Sequence, residues 1–262
     1  STLVAINRLD DERINVVAGE VFNKLLLTPG DPVDWNTSTI KSLGLAKTDA
    51  KEAFTLDRDK VLSLKNGSIS VNEARRLLGL ERLYDFSLSI APALNMTVTS
   101  ITYDAGRITH SFDILVKDLK GLPVSTVTVR GYYVNDTGNW NTGDAIKRNN
   151  TMSGSDGWAT LNFTSTVNPQ DVMLLITAKL SNTVVMNTCY VPALDSSCSS
   201  LDPPKSLTVE GDYVVEGLPV LDAFTFPSPQ PRGGLKTVSL SLFVGIDGYI
   251  YEARFRFWRT SQ

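Results

Sequence analysis

The hydrophobic period of the chain changes at Tyr84, and this change constrains the fold more than any other feature. Before Tyr84, apolar residues recur every three or four positions, as they do on one face of a helix. From Tyr84 onward they alternate with polar residues, as in a strand that buries one face. The sequence therefore predicts a mainly β protein of the α+β class, with an N-terminal helical segment packed against antiparallel sheets.

A long first helix is predicted near the start of the chain. One face of its 3.6-residue period is apolar, and consists of Ile14, Val17, Ala18, Val21, Phe22, Leu25 and Leu26. Asp10 or Asp11 can accept hydrogen bonds from its first amides, and Pro29 disfavours helical geometry in the residue before it. We therefore interpret "LLLTPGDPVDW" (25–35) as a structural corner, in which Trp35 covers the end of the helix.

Two short helices are predicted before the period changes, each from its own N-cap. Asp57 precedes "RDKVLSLK", and Ser70 with Glu73 forms an S-x-x-E capping box ahead of "ARRLL". Acidic residues favour the start of a helix because they interact with its dipole. Asp57 and Asp59 are therefore interpreted as a helix start rather than as a pair of catalytic carboxylates.

The middle of the chain predicts an antiparallel β-sandwich. Six or seven short strand-like runs follow one another over about 100 residues, separated by turns rich in Gly, Asn, Asp and Pro. We therefore expect three consecutive domains. They are a helical segment leading into the first strand (1–92), a sandwich (93–195), and a region of proline-rich connectors and C-terminal strands (196–262).

Two turns within the sandwich region form a more specific pattern. A D-x-x-G-x-P-V turn and a D-G-x-A turn occur at Asp118, Gly121, Pro123, Val124, Asp156, Gly157 and Ala159. This arrangement resembles the immunoglobulin-like domains of bacterial and archaeal surface proteins. The resemblance implies an immunoglobulin-like sandwich that serves as a stalk, spacer or adhesive module.

A β-hairpin is predicted near the end of the chain, with its turn at 245–248. One face of its last strand is charged, and the other consists of Tyr249, Tyr251, Ala253, Phe255 and Phe257. Such a row could stack on a ligand. We expect it to be the core face of a sheet instead, because large apolar side chains are usually buried.

Charge and hydropathy exclude two classes of partner. The net charge of −3 and the pI near 5.3 indicate no basic surface for nucleic acid. No apolar run approaches the roughly 18 residues needed to cross a bilayer, so we expect no membrane span in this chain. The first residues are also too short a run for a signal peptide, which leaves a processed chain or an upstream anchor as alternatives.

Residues suited to catalysis or metal binding are scarce. His110 is the one histidine of the sequence and lies in an alternating strand, and no G-x-S-x-G motif is present. Oxygen ligands occur at Asp136, Asn139, Asn141 and Asp144, but without the spacing of a calcium loop. We therefore predict a non-enzymatic protein with no catalytic residue, no metal site and no cofactor.

Glycosylation and a disulfide are predicted, and both indicate an extracellular location. Six N-x-S/T sequons occur, at Asn36, Asn66, Asn95, Asn135, Asn149 and Asn162. Cys189 and Cys198 bracket a short loop, and a disulfide between them requires an oxidising compartment or the interior of a hyperthermophile. The alternatives are sequons that arise from an Asn- and Thr-rich composition, and two unrelated buried thiols.

The N-terminal third carries a resemblance that bears on function. It contains, in order, "LLLTPGDPVDW", "LGLA" (43–46), "LDRDKVLSL" (56–64), "LLGL" (77–80) and "YDFSLSI". Over roughly residues 12–90, this series resembles archaeal secreted or membrane-anchored proteins of the type IV pilin-like class. In that class an apolar helix precedes the series as an anchor or filament stalk, and no such helix lies upstream of Asp10 in this sequence.

The sequence thus favours a glycosylated structural protein of an archaeal cell surface, which self-associates into a filament or surface-layer assembly. We expect an assembly strand at Leu3, Val4, Ala5 and Ile6 that adds to a neighbour's sheet edge, with a disordered terminus or an intramolecular strand as the alternative. The second functional hypothesis is an adhesin or carbohydrate-binding module. It would bind cell-surface glycans through exposed aromatic residues, namely Trp140, Trp158, Tyr132 and Tyr133.

Overall fold

The computed structural model describes residues 2–80, 83–104, 109–135, 146–164, 172–181, 183–191, 207–210, 213–216, 221–227 and 236–260, with the backbone alone for 2–11, 135, 207–210 and 213–216. The chain forms two compact units, one from residues 1–91 and 222–262 and one from residues 92–221. This division corrects the three consecutive domains expected from the sequence. The segment from Asp222 joins the N-terminal unit because its last strand lies beside the first strand of the chain.

The described helices are α1 (Thr2–Leu27), α2 (Arg58–Lys65) and α3 (Val71–Leu78). The described strands are β1 (Tyr84–Pro92), β2 (Asn95–Asp104), β3 (Thr109–Lys117), β4 (Thr128–Asn135), β5 (Ile146–Met152), β6 (Trp158–Thr164), β7 (Val172–Leu180), β8 (Thr183–Val191), β9 (Leu207–Glu210), β10 (Tyr213–Glu216), β11 (Phe224–Phe226), β12 (Thr237–Ile246) and β13 (Tyr249–Arg259). The protein is therefore mainly β, with helices confined to its N-terminal part, and the predicted fold class is confirmed.

The first unit is a four-stranded sheet, in the order β11-β1-β13-β12, with α1 packed against β12 and β13. The rings of Phe22 on α1 and Phe255 on β13 lie 5.6 Å apart, and Phe255 also stacks on Phe86 of β1 at 5.8 Å. The predicted apolar face of α1 is confirmed, since six of its residues are buried: Ile14, Ala18, Val21, Phe22, Leu25 and Leu26. This face and the aromatic side chains of the sheet form the core of the unit.

The start of α1 differs from the prediction in two ways. The helix begins at Thr2, so Asp10 and Asp11 lie inside it and do not cap it. Leu3, Val4, Ala5 and Ile6 are helical as well, which corrects the expected assembly strand. Extending an existing helix forms one hydrogen bond for each residue that is fixed, and this stretch contains no Gly or Pro to stop it.

The caps of the two short helices lie where the sequence placed them. The Asp57 carboxylate accepts hydrogen bonds from the backbone N–H groups of Asp59 and Lys60. The Ser70 hydroxyl accepts the N–H of Glu73 at 3.2 Å. The Glu73 carboxylate binds Arg76 rather than the Ser70 backbone, so the capping box is formed on one side only.

The stretch 25–35 is a structural corner, as expected. Trp35 is buried and donates its Nε1–H to the Gly44 carbonyl at 2.8 Å. The Lys60 ammonium reaches from α2 and donates to the carbonyls of Pro29 and Val33, at 2.8 and 2.6 Å. Burial lowers the pKa of Lys60, and these carbonyl contacts compensate part of the cost of desolvating its charge.

The second unit contains a β-sandwich, which confirms the prediction for the middle of the chain. One sheet has the order β2-β3-β6 and the other the order β5-β4-β7-β8, with antiparallel pairing throughout. The two sheets pack face to face through aromatic side chains. Tyr133 of β4 lies 5.2 Å from Phe163 of β6 and 6.3 Å from Phe112 of β3, measured between ring centroids. The sandwich thus has seven described strands, three in one sheet and four in the other, and β5 pairs with β4.

The two turns that carried the immunoglobulin-like resemblance lie against each other. Asp118 accepts two backbone N–H groups of its own turn, and the isolated bridge between Lys117 and Pro123 closes that turn. Gly157, with a φ of 79°, brings its backbone so close that a Cβ would lie 2.6 Å from the Val116 carbonyl oxygen. Glycine is therefore required at this position by both conformation and space.

The C-terminal hairpin is formed as predicted. β12 and β13 pair continuously from Thr237↔Trp258 to Ile246↔Tyr249, and Asp247 and Gly248 make the turn. The aromatic row of β13 is buried and faces the core, which confirms the core interpretation over a ligand platform. Among the described residues, no helix is long and apolar enough to cross a membrane.

Candidate glycosylation, binding and assembly sites

Four of the six sequon asparagines have exposed side chains: Asn36, Asn66, Asn95 and Asn162. Asn36 follows the corner, Asn66 is the C-cap of α2, Asn95 begins β2, and Asn162 lies on the outer face of β6. The side chain of Asn135 lies outside the described residues. A glycan is bulky and hydrophilic, so an exposed asparagine is the first structural requirement for its attachment.

The side chain of Asn36 is held by the hydroxyl residue of its own sequon. Its Oδ1 accepts hydrogen bonds from the Ser38 backbone N–H at 2.9 Å and from the Ser38 hydroxyl at 2.6 Å. This is an Asx turn, a local conformation that asparagine favours. Its Nδ2, the atom to which a glycan would be attached, takes no part in the turn.

Asn149 differs from the exposed sequon residues because its Nδ2 is already engaged. It lies half-buried on β5 and donates from Nδ2 to the carbonyl oxygen of Asn162 on β6, at 2.7 Å. The bond ties an edge strand of one sheet to an edge strand of the other. Attachment of a glycan to Asn149 would require this bond to break, so we expect lower occupancy there than at Asn162.

The predicted disulfide is described at one end only. Cys189 is buried on β8, opposite Leu174 of β7. No described cysteine is a free thiol. Cys198 lies outside the described residues, so its pairing with Cys189 stays a prediction.

His110 lies in the aromatic core of the sandwich rather than in a cleft. Its Nδ1 is 3.0 Å from the Tyr133 hydroxyl, and its ring lies 4.8 Å from Tyr103 and 6.1 Å from Phe112. Burial lowers the pKa of His110, and burial together with Tyr103 raises the pKa of Tyr133 to about 12. Both groups are therefore neutral near pH 7, and the contact is a hydrogen bond between core side chains.

The aromatic residues named for glycan binding do not share one exposed surface. Tyr132 and Tyr133 are buried, with exposed fractions of 0% and 1%, which corrects their assignment as stacking residues. They are buried because β4 is an inner strand with neighbours on both sides. Trp158 is 43% exposed at the start of β6, and Trp140 lies outside the described residues.

The described residues contain no candidate metal site. None of their His, Cys, Asp and Glu side chains form a group of three or more that could hold a metal ion. Asp57 caps α2, and Asp113 accepts hydrogen bonds from Ser100 and Thr160, which lower its pKa. The Asx-rich residues Asp136, Asn139, Asn141 and Asp144 lie outside the described residues.

One feature that the sequence analysis missed is the edge formed by β12. Its ten residues contain no charged side chain, and Phe243 is 60% exposed on it. The absence of charge between Lys236 and Asp247 could have been read from the sequence. Which strand lies at an edge could not, because that depends on the pairing of β13 with β1.

Two comparisons with known proteins give no relative from which a function could be assigned. No family model matches the chain, and no curated protein matches its sequence.

Proposed function

We propose that this chain is a non-enzymatic, extracellular structural protein of an archaeal cell surface, glycosylated and built into a filament or surface-layer assembly. The observation that carries the proposal is the exposure of the sequon residues Asn36, Asn66, Asn95 and Asn162. Two of them belong to each compact unit. Glycans at these sites would cover both units with hydrophilic groups, as suits a protein that is permanently exposed to solvent.

Two further observations support an extracellular structural role. An immunoglobulin-like sandwich is a common spacer in surface proteins, and the N-terminal series of motifs resembles pilin-like proteins. A Cys189–Cys198 disulfide would stabilise the end of β8 by about 2–3 kcal/mol in an oxidising compartment. The archaeal source and the filament rest on the resemblance and are part of the proposal.

Electron microscopy of native material, combined with intact-mass analysis and peptide mapping, tests this function. We expect polymers or a surface lattice, and glycan mass on peptides that contain the four exposed asparagines. Asn149 provides a matched internal comparison, because it has the same sequon but a bonded Nδ2. Asn162→Gln should remove one glycan mass, whereas Asn149→Gln should change the mass little beyond the substitution itself.

Two outcomes would overturn the proposal. One is native protein with an unmodified mass at all six sequons and no polymer. The other is a measured enzymatic activity that survives repurification and is abolished by substitution of a residue of this chain.

An adhesin or carbohydrate-binding module is the second candidate, and the exposed ring of Trp158 favours it. The indole lies on the outer face of β6, where a sugar ring could stack on it. A glycan array should then show binding that Trp158→Ala abolishes and that Phe243→Ala, an exposed aromatic on the other unit, leaves unchanged. An array without hits would reject this candidate.

A further inference from the structure

β12 is an edge strand, and the pairing described along its outer side lies near Gly245. The Gly245 N–H donates to the Phe54 carbonyl at 3.0 Å, and the Gly245 carbonyl accepts the Leu56 N–H at 2.8 Å. Among the residues that the structure describes, no other strand pairs along this side of β12. Over 239–243, this side of β12 therefore pairs with none of the described strands.

The direction of the unused backbone groups follows from Gly245. Both of its groups point away from β13, and the β12–β13 register is unbroken from Thr237 to Ile246. Backbone groups alternate in direction along a strand, with a period of two residues. Ser239, Ser241 and Phe243 thus direct their N–H and C=O groups to the outer side, and their side chains are exposed.

The opposite edge of the same sheet is protected in a way that β12 is not. β11 has three residues, and Pro227, which lacks an N–H, follows it directly. Short length and proline are two means by which proteins prevent pairing at a sheet edge. β12 is ten residues long and has neither proline nor charge.

The edges of the sandwich carry other protections. β5 presents Lys147 and Arg148, and β2 is interrupted by a register shift between Val98 and Ser100. On β8, Asn187 donates its amide to a carbonyl of β2 at 2.7 Å, which links the two sheets. The edge strands β6 and β8 are also uncharged and free of a bulge, but each is tied to the other sheet by an asparagine side chain, Asn149 to the Asn162 carbonyl and Asn187 to the Met96 carbonyl. No such bond is described for residues 239–243 of β12, which is also longer than either strand.

We propose that β12 is an assembly edge that pairs antiparallel with β12 of a second copy of this chain, about a two-fold axis at Ser241. Ser241 then faces Ser241, and Ser239 faces Phe243, in about six hydrogen bonds, two for each opposed pair of residues. The second copy is the occupant that fits, because an uncharged strand can oppose itself without charge repulsion. A two-fold axis also matches every donor with an acceptor.

This pairing specifies the strand through which the self-association in the proposed function would occur, and it rests on that proposed function. The two four-stranded sheets would join into one continuous sheet. A two-fold contact closes on itself, so the pair would be the building block of a larger assembly, which requires a second interface.

Charge reversal at the axis provides the test. The purified chain should sediment as a dimer at micromolar concentration. Ser241→Lys and Ser241→Glu should each weaken dimerisation at least about tenfold, since like charges then face each other across the axis. An equimolar mixture of the two variants should form a heterodimer, which also shows that both variants are folded.

A matched control and a local measurement accompany this test. Asn150→Lys adds the same charge to an exposed position on β5 and should leave the dimer unchanged. Hydrogen exchange should show the amides of Ser239, Ser241 and Phe243 protected in the dimer and exchanging in the Ser241→Lys monomer. Ser241→Pro, which removes one outward N–H at an edge where proline is tolerated, should give the same monomer.

The inference is overturned if the chain stays monomeric, if Ser241→Lys leaves the dimer intact, or if the mixed variants fail to associate. Monomeric purified chain alongside polymers in native material would reject the β12 pairing and retain the proposed function. A β12 dimer alongside native material without polymers or glycans would reject the proposed function and retain the pairing.

Discussion

The two units of this protein differ in how far apart along the chain their paired strands lie. In the sandwich, most neighbours in a sheet are also neighbours in sequence, as in β2-β3, β4-β5 and β7-β8. In the first unit, β1 and β13 are adjacent in the sheet although the whole second unit separates them in sequence. Strands that are close in sequence are brought together by the turn between them. Strands that are far apart in sequence pair because their side chains pack in one core.

The largest expected effect comes from Phe255→Ala, which removes the ring that joins three distant elements of the first unit. Phe255 contacts Phe22 of α1, Phe86 of β1 and Phe257 of its own strand. We expect a loss of about 3–5 kcal/mol in the free energy of unfolding of this unit, read from denaturant unfolding followed by hydrogen exchange of its peptides. Val16→Ala, at an exposed position of α1 in the same unit, is the control and should cost less than about 0.5 kcal/mol.

Gly131→Ala tests the sandwich in the opposite way, by adding volume to its core. An added Cβ would lie 2.5 Å from Leu161 Cδ1 and 2.9 Å from Phe163 Cζ, so both side chains must move. We expect the second unit to lose about 1–3 kcal/mol of unfolding free energy, measured by the same exchange method. An equal loss of protection in peptides of the first unit would contradict the expectation that the effect is confined to the second unit.

Acid should destabilise the second unit more than the first, because His110 is the one histidine of the chain and lies in the second unit. Burial lowers its pKa in the folded state from an unfolded value of 6.5, so the unfolded state binds the proton more readily. The stabilisation from neutral His110 is complete above pH 6.5 and declines as the pH falls below it, by at most about 1.4 kcal/mol per pH unit. Urea unfolding of the wild type and of His110→Gln at pH 7.5 and 5.5 measures this, and equal pH slopes in the two proteins would refute it.

The smallest expected effect is at a helix cap of the first unit. Asp57→Ala removes the carboxylate that accepts the N–H groups of Asp59 and Lys60. A loss of about 1 kcal/mol is expected in thermal unfolding, and Asp57→Asn should recover most of it because asparagine caps nearly as well. Failure of asparagine to restore stability would show that the charge matters more than the hydrogen bonds.

Those parts of the fold that depend on neighbouring residues could be predicted from sequence. The buried face of α1, the caps at Asp57 and Ser70, and the turn at Asp247 and Gly248 each follow from spacing or from one residue type. The position of β1 beside β13 could not be predicted, because alternation identifies a strand but not its partner. The expected strand at Leu3–Ile6 was wrong because local β propensity did not prevent the helix from continuing through it.

The candidate sites show the same distinction between features set by neighbouring residues and features set by distant pairing. Sequons are local motifs, so the sequence identified them, but the bond between Asn149 Nδ2 and the Asn162 carbonyl depends on two edges meeting. The burial of Tyr132 and Tyr133 likewise depends on β4 becoming an inner strand. Exposure and edge position are properties of the assembled sheets, and they decide which motifs remain usable.

The placement of β13 inside the sheet of the first unit has a consequence for synthesis. The ribosome makes this inner strand after the whole sandwich, so the sandwich can close while the first unit still lacks three of its four strands. Until then, the apolar face of α1 has no β12 or β13 to cover it. A nascent chain that stalls near Leu221 would therefore contain a folded sandwich and a helix whose apolar face is uncovered. Chaperones bind such exposed apolar surfaces, and proteases cleave chains that expose them.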